Sequence, residues 1–352
     1  MALTVNTNLA SLTVQRNLTN ATNGLNTAME RMSTGYKINS ASDDAAGYAV
    51  ASKMKSKLNG YEVAESNGQM ATSLLTTEEG VLKIINDYLS RIRDLTEQAA
   101  NGTYATDSLF AIQTEVVQRM NEINRLIEVT DFNGLNLLNG TGSAADHGIN
   151  IQIGLNSDTN NVISLDKELF ENAGCTSIMG FSAAGTGLTG NVNLDSSATQ
   201  TTDYQYEATV DGSVVYFKSA LTAAIAKQGV LTGSAGAITI ADSSGTISIE
   251  DMCKSVYSND NAAREFLNYV DAGVENITGR ITRIGAYQNR INSAIEAISV
   301  QSANLIEAHS SIVDADIATE SSNYMRFQIL QQSAATLLTT ANQSPSIALN
   351  LI

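Results

Sequence analysis

Apolar residues between Val270 and Ile312 recur at alternating spacings of four and three: Val270, Val274, Ile277, Ile281, Ile284, Ile291, Ile295, Ile298, Leu305 and Ile312, with Gln288, Ser302 and His309 at the intervening positions. A repeat that averages 3.5 residues drifts around a straight helix, so it predicts one long helix held to a partner by left-handed supercoiling. At 1.5 Å per residue that helix is about 60 Å long, and a single helix cannot bury its own seam. The partner is therefore expected to be an equally long helix elsewhere in the chain.

Three further helical patterns precede it. Val14, Leu18, Ala21, Leu25, Ala28 and Met32 repeat the same spacing and predict a first helix that breaks at Gly35. Tyr36–Ser42 reads as a connector, after which Ser40 with Asp43 and Asp44 supplies a capping oxygen and first-turn carboxylates to a second helical region running to about Ala100. Its later half carries the stripe Val81, Ile85, Tyr88, Ile92, Leu95 and Ala99. Asn101-Gly102-Thr103 ends it, and Asp107 is placed to cap a third helix with the face Leu109, Ile112, Val116, Met120, Ile123 and Ile127.

The last segment puts Tyr324, Phe327, Leu330, Ala334, Leu337, Leu338 and Ala341 near one helical face and is expected to stop at Gln343-Ser344-Pro345. It carries Asp314, Asp316 and Glu320 against Arg326, whereas the first helix region carries Arg16, Arg31 and Lys37 against Glu30. Opposite charge and similar length predict that the two ends pair, Leu18, Leu25 and Met32 meeting Tyr324, Phe327, Leu330 and Leu338. Neither face is wide enough to be stable alone, so the pair should stay partly disordered until other copies pack on it.

Alternation replaces helical spacing after Asp131-Phe132-Asn133-Gly134. Ile149, Ile151, Ile153 and Leu155 with Val162–Leu165 predict a β-hairpin around Asn156–Asn161. Between about Thr176 and Met252 the chain is rich in Gly, Ser, Thr and Ala, and two more hairpins are legible. Tyr204–Val210 returns as Val214–Phe217 across Asp211-Gly212, and Ile238 and Ile240 are answered by Ile247 and Ile249; a short helix is expected near Leu221–Lys227. The expected fold is thus mostly α: a long antiparallel helical bundle or coiled coil made from both chain ends, with a β-hairpin and a small β-rich inserted variable domain. Its divisions fall at 1–40 with 310–352, 41–175 with 253–309, and 176–252.

Composition narrows the function. The 352 residues include one proline, no tryptophan and 5% aromatics, a profile for uninterrupted helices. A formal net charge of −16 argues against a nucleic-acid partner, and no apolar run of eighteen residues is present to span a membrane. The first twenty residues lack a basic stretch ahead of an apolar core, so they do not read as a cleaved secretory leader. Cys175 and Cys253 lack metal-ligand spacing, and the sequence leaves open whether they are separate thiols or a disulfide.

Several motifs together resemble bacterial flagellin: Val5-Asn6-Thr7-Asn8, Met32–Ala41, Asp43-Asp44-Ala45-Ala46-Gly47, Leu89–Leu95, Phe132-Asn133-Gly134, Asp314–Glu320, Gln328–Gln332 and Ala341-Asn342-Gln343. They cover about the first 165 and last 95 residues in the family's order. The resemblance implies a subunit that polymerises with its own copies into the flagellar filament, terminal helices forming an inner tube and the variable insert facing the medium. It implies export without cleavage through the flagellar secretion apparatus and an export chaperone at the C-terminal segment. Junction and cap proteins at the filament ends and an extracellular location follow. It also implies recognition by the host Toll-like receptor 5 through Arg91, Leu95 and Glu115, although Ser90 and the ending Ser344–Ile352 depart from the commoner pattern.

No enzyme is expected. The zinc peptidase carried by some flagellins needs two histidines four apart on a helix with an intervening Glu, and the chain has only His147 and His309. No cofactor motif is present either. The competing readings are a hook–filament junction protein, which shares the paired-end architecture, and a secreted adhesin or immune ligand.

Overall fold

A computed structural model describes residues 8–179, 192–193, 206–210, 213–217, 231–234, 237–240, 249–257 and 260–349. Helices α1 (Leu9–Thr34), α2 (Ala45–Ala99) and α3 (Thr106–Val129) open the chain. They are followed by the strand pair β1 (Asp131–Phe132) and β2 (Leu135–Asn136), and by α4 (Ser143–His147). The hairpin β3 (Ile149–Gln152) and β4 (Val162–Leu165) leads to α5 (Cys175–Ile178). Strands β5 (Val192–Asn193), β6 (Tyr206–Val210), β7 (Ser213–Phe217), β8 (Leu231–Ser234) and β9 (Ala237–Ile240) precede α6 (Ile249–Val256), α7 (Asp260–Val313) and α8 (Ile317–Leu349). The chain divides into two compact units, Met1–Val63 with Glu296–Ile352, and Ala64–Ile295.

The long partner that the heptad seam requires is α2. At 55 residues it matches the 54 of α7, and the contacts run antiparallel within Ala64–Ile295. Gly68 abuts Ile295, Gln288 Nε2 donates to Glu79 Oε2 at 3.0 Å, and Arg93 Nε donates to Asp271 Oδ1 at 2.6 Å. On α7 every seventh residue, Val270, Ile277, Ile284 and Ile291, is fully buried, while Val274, Ile281 and Ile295 are half-buried. The α2 seam is Ala64, Gly68, Ala71, Leu75, Glu78, Leu82, Ile85, Leu89, Ile92, Thr96 and Ala99, all buried, in unbroken four-three alternation.

That seam corrects the expected stripe by one position. Leu82 and Leu89 face inward, whereas Val81 and Tyr88 are half-buried at its margin. Gly68, Glu78 and Thr96 interrupt the apolar pattern and so mask the true phase in sequence. Gly68 has its own steric reason, since a Cβ there would lie 2.8 Å from Ile295 Cγ1.

Local capping also differs from expectation. Asp44, outside α2, is its cap, accepting from the amides of Ala46 and Gly47 at 3.0 Å each; no carboxylate lies in the first turn. Asp43 instead closes the connector turn by accepting from the amides of Asn39 and Ser40. Asp107 lies inside the first turn of α3, whose N-cap is Ala105. There a carboxylate acts on the helix dipole instead of as a cap.

Of the face expected on α3, Ile112, Val116, Met120, Ile123 and Ile127 are buried and Leu109 is half-buried. β3 and β4 pair antiparallel, Ile149 opposite Leu165, as expected, and β6 pairs with β7 through Val210 opposite Ser213. β9 pairs with β8, and of the residues expected opposite it Ile249 is helical while Ile247 lies outside the described residues. A two-residue connection makes the local hairpin cheaper to close, and Ile249 opens α6, where Ile249, Met252, Cys253 and Val256 follow helical spacing. The helix expected near Leu221–Lys227 lies outside the described residues. Among the described residues no helix is long and apolar enough to cross a membrane.

Candidate functional site

Within the unit that contains both chain ends, α1 and α8 lie side by side. Gly35 leaves α1 with φ of 77°, a conformation glycine adopts without Cβ strain, and its amide donates to Arg31 O at 2.9 Å. The returning chain is tied to this turn. Lys37 N donates to Val313 O at 2.7 Å, Ala315 N donates to Gly35 O at 2.8 Å, and Tyr36 and Asp314 form an antiparallel bridge. Asp316 caps α8 through Ala318 N at 2.9 Å, and the Thr319 hydroxyl, with the amides of Ala318 and Thr319, holds its carboxyl below the usual range by donating to it.

Antiparallel pairing then follows residue by residue. Leu18, Leu25 and Met32 of α1 and Tyr324, Phe327 and Leu338 of α8 are half-buried, with Ala21, Ala28 and Ala334 buried. A Cβ on Gly24 would lie 2.6 Å from the Phe327 ring, so glycine makes the seat for that aromatic. Of the expected opposite charges, Arg31 and Glu320 meet directly at 3.1 Å. Asp316 is used for capping, and Asp314 accepts from Ser310 Oγ.

Two features of this pair escaped the sequence reading. Leu330 lies off the seam and is 48% exposed; Gln331 takes the inward position and its Nε2 donates to Thr22 Oγ1 at 3.1 Å. The shift arises because Glu320, Tyr324, Phe327, Gln331, Ala334, Leu338 and Ala341 keep the four-three spacing and Leu330 does not. Second, α8 continues to Leu349 through Pro345. Proline has no amide proton for the carbonyl four residues earlier, which is that of Ala341. Asn8 Nδ2 donates to Ala341 O at 2.7 Å in its place, while Asn8 Oδ1 accepts from Ser11 N at 3.0 Å and caps α1.

The pair is thinly buried for its length. Leu9, Leu12 and Met29 on α1 and Met325, Ile329 and Leu337 on α8 are exposed. Beside the seam runs a groove of about 320 Å³ lined by Asn17, Asn20, Ala21, Phe327, Leu330 and Leu337. Single exposed apolar residues are ordinary; a row of them along two paired helices is a surface suited to further helices.

In the other unit, Arg91 and Glu115 come together across α2 and α3. Arg91 Nε lies 3.3 Å from Glu115 Oε1, and Arg119 Nη2 lies 2.8 Å from the same oxygen. Those bonds, Arg119's first, hold the Glu115 carboxyl below its usual range. Arg119, which the sequence reading missed, also lies over the Tyr88 ring at 5.9 Å. Leu95 is buried, at 3% exposure, so it presents almost no surface to an outside partner. Its place on the apolar stripe already required that.

The polar seam positions divide. Gln288 bonds Glu79, as above, whereas Glu78 sits in the seam with neither carboxylate oxygen hydrogen-bonded among the described residues. Burial pushes its carboxyl up to about 8, against the downward pull of Arg280. Arg280 is itself buried, donating to Asn276 Oδ1 at 3.1 Å and Glu171 O at 2.7 Å. Among the described residues no cluster of His, Cys, Asp and Glu has the arrangement of a metal site.

These features define a class: a helical protein whose two ends pair and expose an apolar surface suited to copies of the same helices. Residues 5–143 match the bacterial flagellin N-terminal helical region and residues 267–352 the bacterial flagellin C-terminal helical region. Over the full length of both chains, this one is 32% identical to polar flagellin F of Vibrio parahaemolyticus and 33% identical to flagellin D of Vibrio cholerae. The flagellin crystal structure from Bacillus cereus aligns at 21% identity over 69% of this chain and 94% of that one, with a TM-score of 0.37. The chain belongs to the bacterial flagellin family.

Proposed function

We propose that this chain is the structural subunit of a flagellar filament, a helical polymer of its own copies used for swimming. The carrying observation is the α1–α8 pair, which leaves Leu9, Leu12, Ile329 and Leu337 exposed beside an apolar groove. In this reading the paired ends 1–40 and 310–352 are ordered by neighbouring copies into an inner tube, 41–175 with 253–309 forms the surrounding bundle, and 176–252 faces the medium. The subunit leaves the cell unfolded through the flagellar secretion apparatus. An export chaperone covers the C-terminal segment, whose apolar residues would otherwise aggregate. Junction and cap proteins bound the polymer.

The test is seeded polymerisation of the purified chain, followed by electron microscopy, beside a chain ending at residue 309. Long tubular filaments from the full chain alone are expected. A full-length chain that stays monomeric with seeds and precipitant would move the assignment to a hook–filament junction protein. Filaments from the shortened chain would remove the paired ends from the assembly surface.

A second use of the surface rests on Arg91 and Glu115, joined and exposed on α2 and α3. We propose that Toll-like receptor 5 contacts this patch in the monomer, Leu95 presenting almost no surface to it. Arg91→Ala is expected to lower receptor signalling with unchanged helical circular dichroism; unaltered signalling would take the residue out of the contact.

A further inference from the structure

The two cysteines bracket the inserted region and meet on one helix. Cys175 opens α5 on its near side and Cys253 lies within α6 on its far side, and both side chains are fully buried. Cys175 N donates to Asn124 Oδ1 at 3.0 Å, and Cys253 Sγ lies 3.6 Å from Met120 Sδ. Met120 and Asn124 are one turn apart on α3, so the anchoring points are separated by about 6 Å along that helix. The two thiols are near enough that Cys253 adds, after burial, to the upward push on the Cys175 thiol. The thiols are unbonded in the structure.

Neighbouring groups hold both short helices in place. Gly273 of α7 leaves room for Met179 just after α5, since a Cβ there would lie 3.0 Å from Met179 Cγ. Tyr257, one turn beyond Cys253, shares a 2.8 Å hydrogen bond with Thr96 Oγ1 of α2. The entry and exit of the insert are thereby fixed against the same surface.

We infer that Cys175 and Cys253 are a disulfide-forming pair that closes the base of the insert when the chain folds in the presence of a low-molecular-weight disulfide. One cysteine thiolate attacks a sulfur of the small disulfide and expels one small thiol, leaving a mixed disulfide on the protein. The second cysteine's sulfur then displaces the other small thiol. The Sγ–Sγ bond forms, the small disulfide's S–S bond breaks, the protein gives up two electrons and two thiol protons, and two small thiols leave. Burial pushes both thiols up and keeps them protonated once α5 and α6 are seated. The bond therefore forms during folding, and the folded protein then shields it from reductants. This inference does not depend on filament assembly.

The full chain, reduced and denatured, is refolded with oxidised glutathione, and its thiols are titrated with Ellman's reagent in denaturant. No reactive thiol is expected, and an unreduced digest should contain one linked pair of peptides carrying Cys175 and Cys253. The oxidised chain should unfold at a higher denaturant concentration than the same chain after reduction. Two reactive thiols, cysteines recovered as glutathione adducts, or links only between chains would overturn the inference. The double variant Cys175→Ala with Cys253→Ala, refolded in parallel, is expected to show the same midpoint with and without the oxidant. A shift in that variant would assign any midpoint change to something other than the bond.

Discussion

A carboxyl at the centre of a helix–helix seam must be neutral or closely paired, because an isolated buried charge is costly. Among the described residues Glu78 has no hydrogen-bond partner, and burial raises its carboxyl from 4.5 to about 8. Between these values the unfolded chain has lost the proton and the folded chain still holds it, so stability falls as pH rises through that window. The contribution is fully present below pH 4.5 and lost above about 8, a change of a few kcal/mol, roughly 1.4 per pKa unit. Glu78→Gln is expected to remove that slope. Denaturant midpoints of the two proteins measured from pH 5 to 8 should converge toward the acid end and diverge toward pH 8, the variant being more stable there. Parallel curves would mean that Glu78 does not titrate in that range.

At the scale of elements, Asn8 joins the beginning of α1 to the far end of α8. Its Oδ1 caps α1, and its Nδ2 fills the carbonyl of Ala341 that Pro345 leaves without a helical donor. Replacing an N-cap Asn by Ala costs about 1 kcal/mol, and here the second bond is lost with it. Asn8→Ala is expected to speed amide exchange at Ser11 and across 338–345, read by mass spectrometry on the full chain. Adding Pro345→Ala restores an amide proton for Ala341 O and should recover the slow exchange around 341 but not at Ser11. Equal recovery at both places would mean that the two bonds are not separately held. The sequence carried part of this element pair: Leu18, Leu25, Met32, Tyr324 and Phe327 have the right spacing. It did not carry the phase at Leu330, where a polar Gln331 takes the inward place, nor the passage of the helix through Pro345.

For the whole molecule, the repeat from Val270 to Ile298 was enough to demand a long antiparallel partner, because apolar spacing of 3.5 is a local property that any reader of the chain can count. The same holds for the hairpin Ile149–Leu165, the stop at Gly35 and the affinity of the two ends, and the family motifs lie in those same stretches. Tertiary structure decided what spacing alone leaves degenerate. It set the seam of α2 on Leu82 and Leu89, because Gly68 and Glu78 gain their places from Ile295 and Arg280 of the facing α7 and Thr96 from Tyr257 after α6. It buried Leu95, put β9 beside β8, and packed Cys175 and Cys253 against neighbouring turns of α3. Apart from the local β8–β9 hairpin, these depend on contacts between residues far apart in the chain. A periodicity fixes which residues share a face; only packing fixes what that face meets.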